Sequence, residues 1–468
     1  MKRRDAIRLV PMSIAGMASI TGTVFGKEMC CTKGCSGHTG SLARQYSAKV
    51  RERLTWIKET QSQNLMEAAY AIARTVENGG QCYQYAWDAG HSEADSWAGR
   101  NGEPEIFSTS LKMDELKKGD LIIASGQLSD AEKIKEKGVL IIGRPSPWSG
   151  DARFPELLRD DIQEMKLKPH ADLWIETQAT SLGGVVYVPG MPAPFGPVSG
   201  IVGKTTIWMM LADACRILAR RGISVPVKGD EAKVTGDNID YQNFAGWVNL
   251  HDPLMDDFFD EMMQQLDMMF TDFGRIRKIA SMAVESVLNG GKIYGYSLQN
   301  SVYGEASTRR SGLSMTEGVK GAALDTKEKR KNFKGTDKDF VIMGITKPDD
   351  ETDLEFLDLF RKRGMKIASI GPMTRGLSVP EGRTVPKETD MHAGRVCDTY
   401  GLFAVPGFDQ RICPTSGIVL DHLYWTTIME IVDQYIQKTG GDVPGVYYSG
   451  ALKGGMEHLY RMRSLYLQ

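Results

Sequence analysis

Ala68–Ala86 reads AAYAIARTVENGGQCYQYA and Ile279–Ser297 reads IASMAVESVLNGGKIYGYS, and these two stretches decide the fold. In each, an apolar helical run is broken by Asn-Gly-Gly and followed at once by a short β-rich run. A second pair of landmarks lies farther on. Gly196-Pro197-Val198-Ser199-Gly200 opens a helical run through Arg221, and Cys413-Pro414-Thr415-Ser416-Gly417 opens another through Lys438. Two landmarks at nearly one offset mean duplicated domains of about 200 residues each, not a short-period solenoid.

The formal charge of −2, with Lys, Arg, Asp and Glu interspersed, carries no basic footprint and argues against a nucleic-acid partner. Domains of this size bury a full core, so folding needs neither disulfides nor a structural metal.

Lys2-Arg3-Arg4-Asp5-Ala6-Ile7-Arg8 precedes Leu9–Phe25, an apolar stretch too diluted by Ser, Gly and Thr to span a membrane. It resembles a twin-arginine export signal, with Ala6 where the consensus prefers a bulky apolar residue and cleavage after Gly26. Residues 1–26 then form the signal and 27–41 a linker, and the folded protein would work in the periplasm or at a bacterial cell surface. Cys30, Cys31, Cys35 and His38 cluster in that linker, but CC-x3-C-x2-H is not a paired-ligand zinc spacing, so no metal site is assigned. Thiols that pair after export are the alternative. Cys82, Cys215 and Cys397 sit singly in apolar runs and read as core.

The element pattern alternates short β-branched strands with amphipathic helices. In copy one it gives a helix over Leu42–Val76 and strands at Gln81–Ala86, Asp120–Ala124, Gly138–Gly143, Leu173–Thr177 and Val185–Val188, closed by a helix over Val202–Arg221. In copy two it gives Lys292–Tyr296, Asp339–Gly344, Lys366–Ile370 and Leu402–Val405 as strands, and Leu354–Arg363 and Ile418–Lys438 as helices. Such alternation calls for a parallel sheet covered on both faces, binding ligands at the carboxyl ends of its strands. The join falls in the polar segment Gly229–Asp252, and the domains are taken as 42–243 and 244–468.

At this point the chain resembles a family. Asn78-Gly-Gly before a strand, then Ala89-Gly90-His91-Ser92-Glu93, looks like the start of a sugar isomerase (SIS) domain. Lys118-Gly119-Asp120 through Ser125-Gly126 matches its second strand and ligand loop, Ala171-Asp172 precedes its fourth strand, and Phe195–Ser199 opens its closing helix. The resemblance covers Leu42 to Asn243 and, more faintly, Asp252 onward. It implies two tandem three-layer α/β/α sandwiches, each a flavodoxin-like five-stranded parallel sheet, fused into an intramolecular pseudo-dimer. It also implies a small-molecule carbohydrate or sugar phosphate as ligand, aldose–ketose isomerisation in some members, no cofactor, and a possible homo-oligomer through the sheets.

Ser92, Ser125, Gly126, Ser129 and Ser199 are the candidate ligand-binding residues of copy one, with Asn300 and Ser301 in copy two, because amides and hydroxyls at a strand-to-helix turn hold negative charge. The family's Ser-x-Ser-Gly-x-Thr loop is here Ala124-Ser125-Gly126-Gln127-Leu128-Ser129, and in copy two Gly344-Ile345-Thr346-Lys347-Pro348, which keeps one hydroxyl. Ser92 and Ser301 read equally as helix caps. Isomerisation needs a base, for which His91, Glu93 and Glu305 are the candidates; Glu93 and Glu305 also read as first-turn acids complementing a helix dipole. Gly200–Thr206 imitates a P-loop but has Val198 where that motif needs glycine, which sets nucleotide hydrolysis aside. A SIS-type sugar-converting enzyme, a non-catalytic carbohydrate binder and a structural pseudo-dimer holding a protein partner remain as readings.

Overall fold

The structure is a computed structural model describing residues 41–85, 101–108, 111–126, 128, 130–146, 148–178, 180–191, 193–229, 248–298, 300, 302–307, 312–324, 326–374, 380–394 and 401–466. Residues 1–40, which include the stretch expected to be an export signal and most of the cysteine-containing linker, together with Cys397 and most of the expected join, lie outside these residues.

The chain opens with α1 (Leu42–Glu77), started by Ser41, whose hydroxyl accepts the Arg44 N–H. Tyr46, Val50, Leu54, Ile57, Leu65, Ala68 and Ile72 form its buried stripe at helical spacing. β1 (Cys82–Tyr85), β2 (Phe107–Ser108), β3 (Leu121–Ala124), α2 (Ala131–Glu136), β4 (Leu140–Gly143) and β5 (Leu173–Trp174) follow. A hairpin of β6 (Gly184–Val186) and β7 (Phe195–Pro197) leads into α3 (Ser199–Arg220). The second half runs α4 (Leu254–Met268), α5 (Phe273–Leu288), β8 (Ile293–Ser297), α6 (Val302–Ala306), β9 (Thr316–Lys320), β10 (Phe340–Gly344), α7 (Glu351–Lys362), β11 (Lys366–Ile370), β12 (Met391–Ala393), α8 (Ser416–Thr439) and α9 (Gly455–Tyr466).

Two five-stranded sheets result, ordered β2-β1-β3-β4-β5 and β9-β8-β10-β11-β12, and every adjacent pair is parallel. The order is the same in both, and it is the flavodoxin-like one. LIIA, LIIG and FVIMG are continuous apolar runs because parallel central strands are buried on both faces.

The same small devices build both sheets. Gly79 and Gly290 end α1 and α5 at φ +72° and +81°, the left-handed region that glycine enters without penalty. A side chain on Gly80 would strike the Gly119 carbonyl, and one on Gly291 the Lys338 carbonyl. Asp120 accepts the Gln81 and Lys117 N–H groups at 2.9 and 3.0 Å; Asp339 accepts those of Lys292 and Thr336 at 2.7 Å each. Asp172 accepts the Ile141 N–H, as Asp390 accepts that of Ile367.

Between the sheets, α1, α3, α5 and α8 pack against one another, and one core cluster runs through both halves from Leu42 to Val446. α4 docks on α3, where the Asp213 carboxylate accepts the Leu254 and Met255 N–H groups. Among the described residues, no helix is long and apolar enough to cross a membrane.

Two expected strands are placed differently. Val185–Val188 is not a strand of the main sheet: β6 turns back antiparallel on β7, and the fifth sheet position is taken by β2. Leu402–Val405 makes only the isolated Phe403–Ile412 bridge, and the edge strand of sheet two is β12. Neither β9 nor β12 was expected, nor was β2. These are edge strands held by a single neighbour, so their own sequence carries little periodic signal, whereas Leu402–Val405 is apolar because it is buried.

Candidate functional site

The carboxyl end of sheet one gathers polar side chains on the face turned toward α1 and α3. Gln84 lies in one row with Ile123 and Ile142, which pack into the core between the halves. Tyr85, Ala124 and Gly143 form the next row, and Ser125 and Arg144 the row beyond, carried on by the Ser125 N–H to Tyr85 O and Arg144 N–H to Ala124 O bonds at 3.1 and 2.9 Å. Alternation returns Ser125 and Arg144 to the face of Gln84. Arg144 confirms it by donating from Nη1 to Gly203 O and Thr206 Oγ1 of α3, at 2.9 and 3.1 Å.

Gln84 is 4% exposed and Ser125 7%, yet among the described residues both polar atoms of the Gln84 amide and the Ser125 hydroxyl have no hydrogen-bond partner. An unsatisfied buried polar group costs about 1–3 kcal/mol, so natural interiors rarely tolerate several side by side. The amide offers two donors and a carbonyl acceptor, and the hydroxyl both functions. Beyond Arg144 the chain is pinned by a Ser146–Ser149 turn, with Trp148 N–H on Ser146 Oγ at 3.2 Å.

Sheet two places Gly295, Gly344 and Ile370 at the corresponding register positions. A side chain on Gly295 would meet Ala306 of α6, and one on Gly344 would come within 2.6 Å of Val302 Cγ2. α6 therefore lies directly on the backbone, where sheet one carries a glutamine and a serine. Asn300 closes this end: its Nδ2 donates to Gly344 O at 2.7 Å and its Oδ1 accepts the Val302 N–H at 3.0 Å. Ser297 Oγ donates to Asn300 O and accepts the Tyr303 N–H.

The opposite face of sheet two carries two buried titrating groups, Asp353 and His392. Tyr296 donates to Asp353 Oδ1 at 2.9 Å, and burial, then the neighbouring Asp350 carboxylate, pushes the Asp353 carboxyl up to about 7. Ser369 Oγ lies 2.8 Å from His392 Nδ1, and burial pulls His392 down to about 4. His422, fully buried in α8 and stacked on Tyr46 at 5.8 Å, is pulled down to about 3 by burial and by Arg51. Both histidines are neutral at pH 7. Burial raises the Cys82 thiol to about 12, which leaves it unreactive. No cluster of potential metal ligands occurs among the described residues.

No family model matches the sequence. A UPF0309 protein of Geobacillus thermodenitrificans is 23% identical over 214 residues, covering 39% of this chain and 86% of that protein. Solved structures with a similar course include the tagatose-6-phosphate ketose/aldose isomerase of Escherichia coli, at 12% identity and TM-score 0.41, covering 89% of this chain and 98% of that one. The C-terminal domain of the glucosamine-fructose-6-phosphate aminotransferase of Francisella tularensis matches at 10% identity and TM-score 0.43, covering 89% of this chain and 99% of that one.

Of the residues singled out by sequence, Ser125 and Gly126 lie at the polar end of sheet one. His91, Ser92, Glu93, Ser129 and Ser301 lie outside the described residues. Ser199 begins α3. Asn300 is buried and engaged in closing sheet two. Glu305 is buried on α6, where its Oε2 accepts the Trp425 Nε1–H at 2.8 Å, which places it against α8 and not in solvent. Gln84 and Arg144 were missed. The signal was a glutamine inside the strand CYQY and an arginine directly after LIIG, both polar residues at positions whose neighbours are core. Lys204 of the P-loop-like run pairs with Asp421 and is 1% exposed.

Proposed function

We propose that the chain is an exported SIS-type carbohydrate-converting enzyme of the sugar isomerase class, with its principal ligand site at the carboxyl end of sheet one. The observation that carries this reading is the buried, unpartnered pair Gln84 and Ser125 beside Arg144, at the strand ends where open α/β sheets bind ligands. A sugar satisfies both groups: vicinal hydroxyls accept from and donate to one carboxamide, while Ser125 takes a third. The sequence resemblance to SIS domains supplies the reaction class. Within it, Gln84, Ser125 and Arg144 bind and orient, and His91 or Glu93, on the segment that leaves β1, is the base that moves the proton between adjacent carbons.

The test is a thermal-shift screen of the mature protein against sugars, sugar acids and sugar phosphates, followed by proton exchange in D2O on each binder. Binding raises the transition temperature by mass action. Stabilisation by a sugar that Ser125→Ala abolishes supports the site, and solvent deuterium entering that sugar supports isomerisation. A second reading, a carbohydrate-binding protein without turnover, is favoured by the glycine-packed end of sheet two, and saturable binding with no exchange would establish it. Export is tested by replacing Arg3 and Arg4 together with Lys, which should retain precursor inside cells.

A further inference from the structure

Resting on the site proposed above, we infer that Thr206 of α3 is a positioning residue for it: the Thr206 hydroxyl fixes the direction in which Arg144 presents its guanidinium to the ligand.

The run Gly200–Thr206, P-loop-like in sequence, lies near the start of α3. Its last three residues point about 100° apart round the helix and so meet three different neighbours. Lys204 pairs with Asp421 of α8 and donates to Gly417 O at 3.3 Å. Thr205 Oγ1 donates to Ile201 O at 2.9 Å and lies 3.4 Å from Met262 Sδ of α4. Thr206 turns toward sheet one. Its Oγ1 donates to Gly203 O at 2.8 Å and accepts from Arg144 Nη1 at 3.1 Å, while Gly203 O accepts from the same Nη1 at 2.9 Å. All three side chains are buried, as is Arg144.

One terminal nitrogen held by two acceptors sets the plane of the whole guanidinium, because that group is rigid and flat. The hold acts beside the groups that await a ligand: Arg144 follows β4 as Ser125 follows the neighbouring β3, and both lie on the face of Gln84. Lys204 and Thr205 tie this turn of α3 to α8 and α4, so Thr206 offers its hydroxyl from a set place. A long side chain ordered in advance loses little rotamer entropy when a ligand arrives, whereas an unanchored arginine loses more. Valine in place of Thr206 would fill the same space and leave Arg144 Nη1 one acceptor short.

The experiment is calorimetric titration of the mature protein with glucose, fructose, glucuronate and fructose 6-phosphate, with the thermal midpoint of each variant recorded without ligand. For every probe that binds, Thr206→Val should weaken binding about ten-fold, the size of one hydrogen bond to a charged group. Thr206→Ser should bind within about two-fold of the parent while its thermal midpoint falls, since it keeps the hydroxyl and loses a buried methyl. Affinity then follows the hydroxyl and stability the methyl, a split that a merely structural threonine would not produce. Without ligand, the stability losses of Thr206→Val and Arg144→Met should be less than additive in the double variant, as expected if Thr206 acts on Arg144. Additive losses overturn the inference, as does a Thr206→Ser protein that binds as weakly as Thr206→Val. Unchanged affinity in Thr206→Val, with binding still abolished by Gln84→Leu and Ser125→Ala, also overturns it and leaves the site standing. Binding that Gln84→Leu and Ser125→Ala leave unchanged removes the site itself, as does a lack of binding by every probe, and the inference falls with it.

Discussion

Lys204 and Asp421 occupy the same position in the closing helix of each half, each five residues after a Ser-Gly start (Ser199 and Ser416), and they form a buried ion pair in which both side chains are 1% exposed. Lys204 also donates to Gly417 O at 3.3 Å. In a symmetric pair of identical copies that position would meet itself, lysine on lysine or aspartate on aspartate. Opposite charges at equivalent positions tie the two halves to each other and not to a like half of another chain.

Breaking the pair leaves an uncompensated buried charge. Lys204→Met or Asp421→Leu alone should destabilise by roughly 3–5 kcal/mol, and the double replacement should recover most of the loss. Urea denaturation of the three variants measures this, and a fully additive double variant would show that the two residues do not act as a pair.

Gln84 and Ser125 predict a trade between stability and binding. Without ligand, Gln84→Leu and Ser125→Ala should each stabilise by about 1 kcal/mol, because each removes an unsatisfied buried group. Both should lose ligand-dependent stabilisation. A variant that is less stable in the absence of ligand would mean that its side chain is already satisfied.

Gly196 and Cys413 are equivalent positions with φ +81° and +64°, left-handed in both halves. In copy one a side chain would press on Met429 and come within 3.0 Å of the Tyr46 ring, whereas Cys413 is accommodated in the core. Gly196→Cys should cost about 2 kcal/mol or more, and Cys413→Gly should be neutral within about 1 kcal/mol, since relief of strain offsets lost packing and backbone entropy. Thermal midpoints of the two variants decide it.

The pH dependence of stability has two opposed parts. Asp353 is raised from about 3.9 unfolded to about 7 folded, so the native state holds its proton more tightly; that stability is complete below the unfolded value and is lost as pH rises to 7. His392 and His422 are lowered to about 4 and about 3, so the unfolded chain binds those protons more readily and stability is lost as pH falls below about 6.5. Asp353→Asn should therefore raise stability at pH 8 relative to pH 5, and His422→Phe should raise it at pH 5 relative to pH 8. Denaturation curves at the two pH values would reject the assignment if either variant moved the difference the other way.

The central part of each sheet was legible in the chain itself. Asn-Gly-Gly before a β-rich run and Asp before an apolar one state a helix stop and a strand start in local terms, and both occur twice. Short-range chemistry of that kind is enough to fix β1, β3, β4, β8, β10 and β11 to within a residue or two, together with the long helices that close each half. Edge strands β2, β9 and β12 were not legible, since a short segment beside one neighbour is decided by what it docks on. The site divides in the same way. Ser125-Gly126 announces a strand-to-helix loop, but the strand CYQY gives no sign that its glutamine is buried without a partner, or that Arg144 will turn onto α3. Which polar residue lies in the interior depends on register between strands and on the helix above them, and in sheet two the same register positions hold glycine under α6. The sequence by itself determined the periods, the stops and the recurrence of the Asn-Gly-Gly and Ser-Gly landmarks, because those are properties of neighbouring residues. Only the tertiary structure decided the partners: Lys204 with Asp421, Glu305 with Trp425, and Gln84 with none among the described residues, because burial is set by residues far apart in sequence.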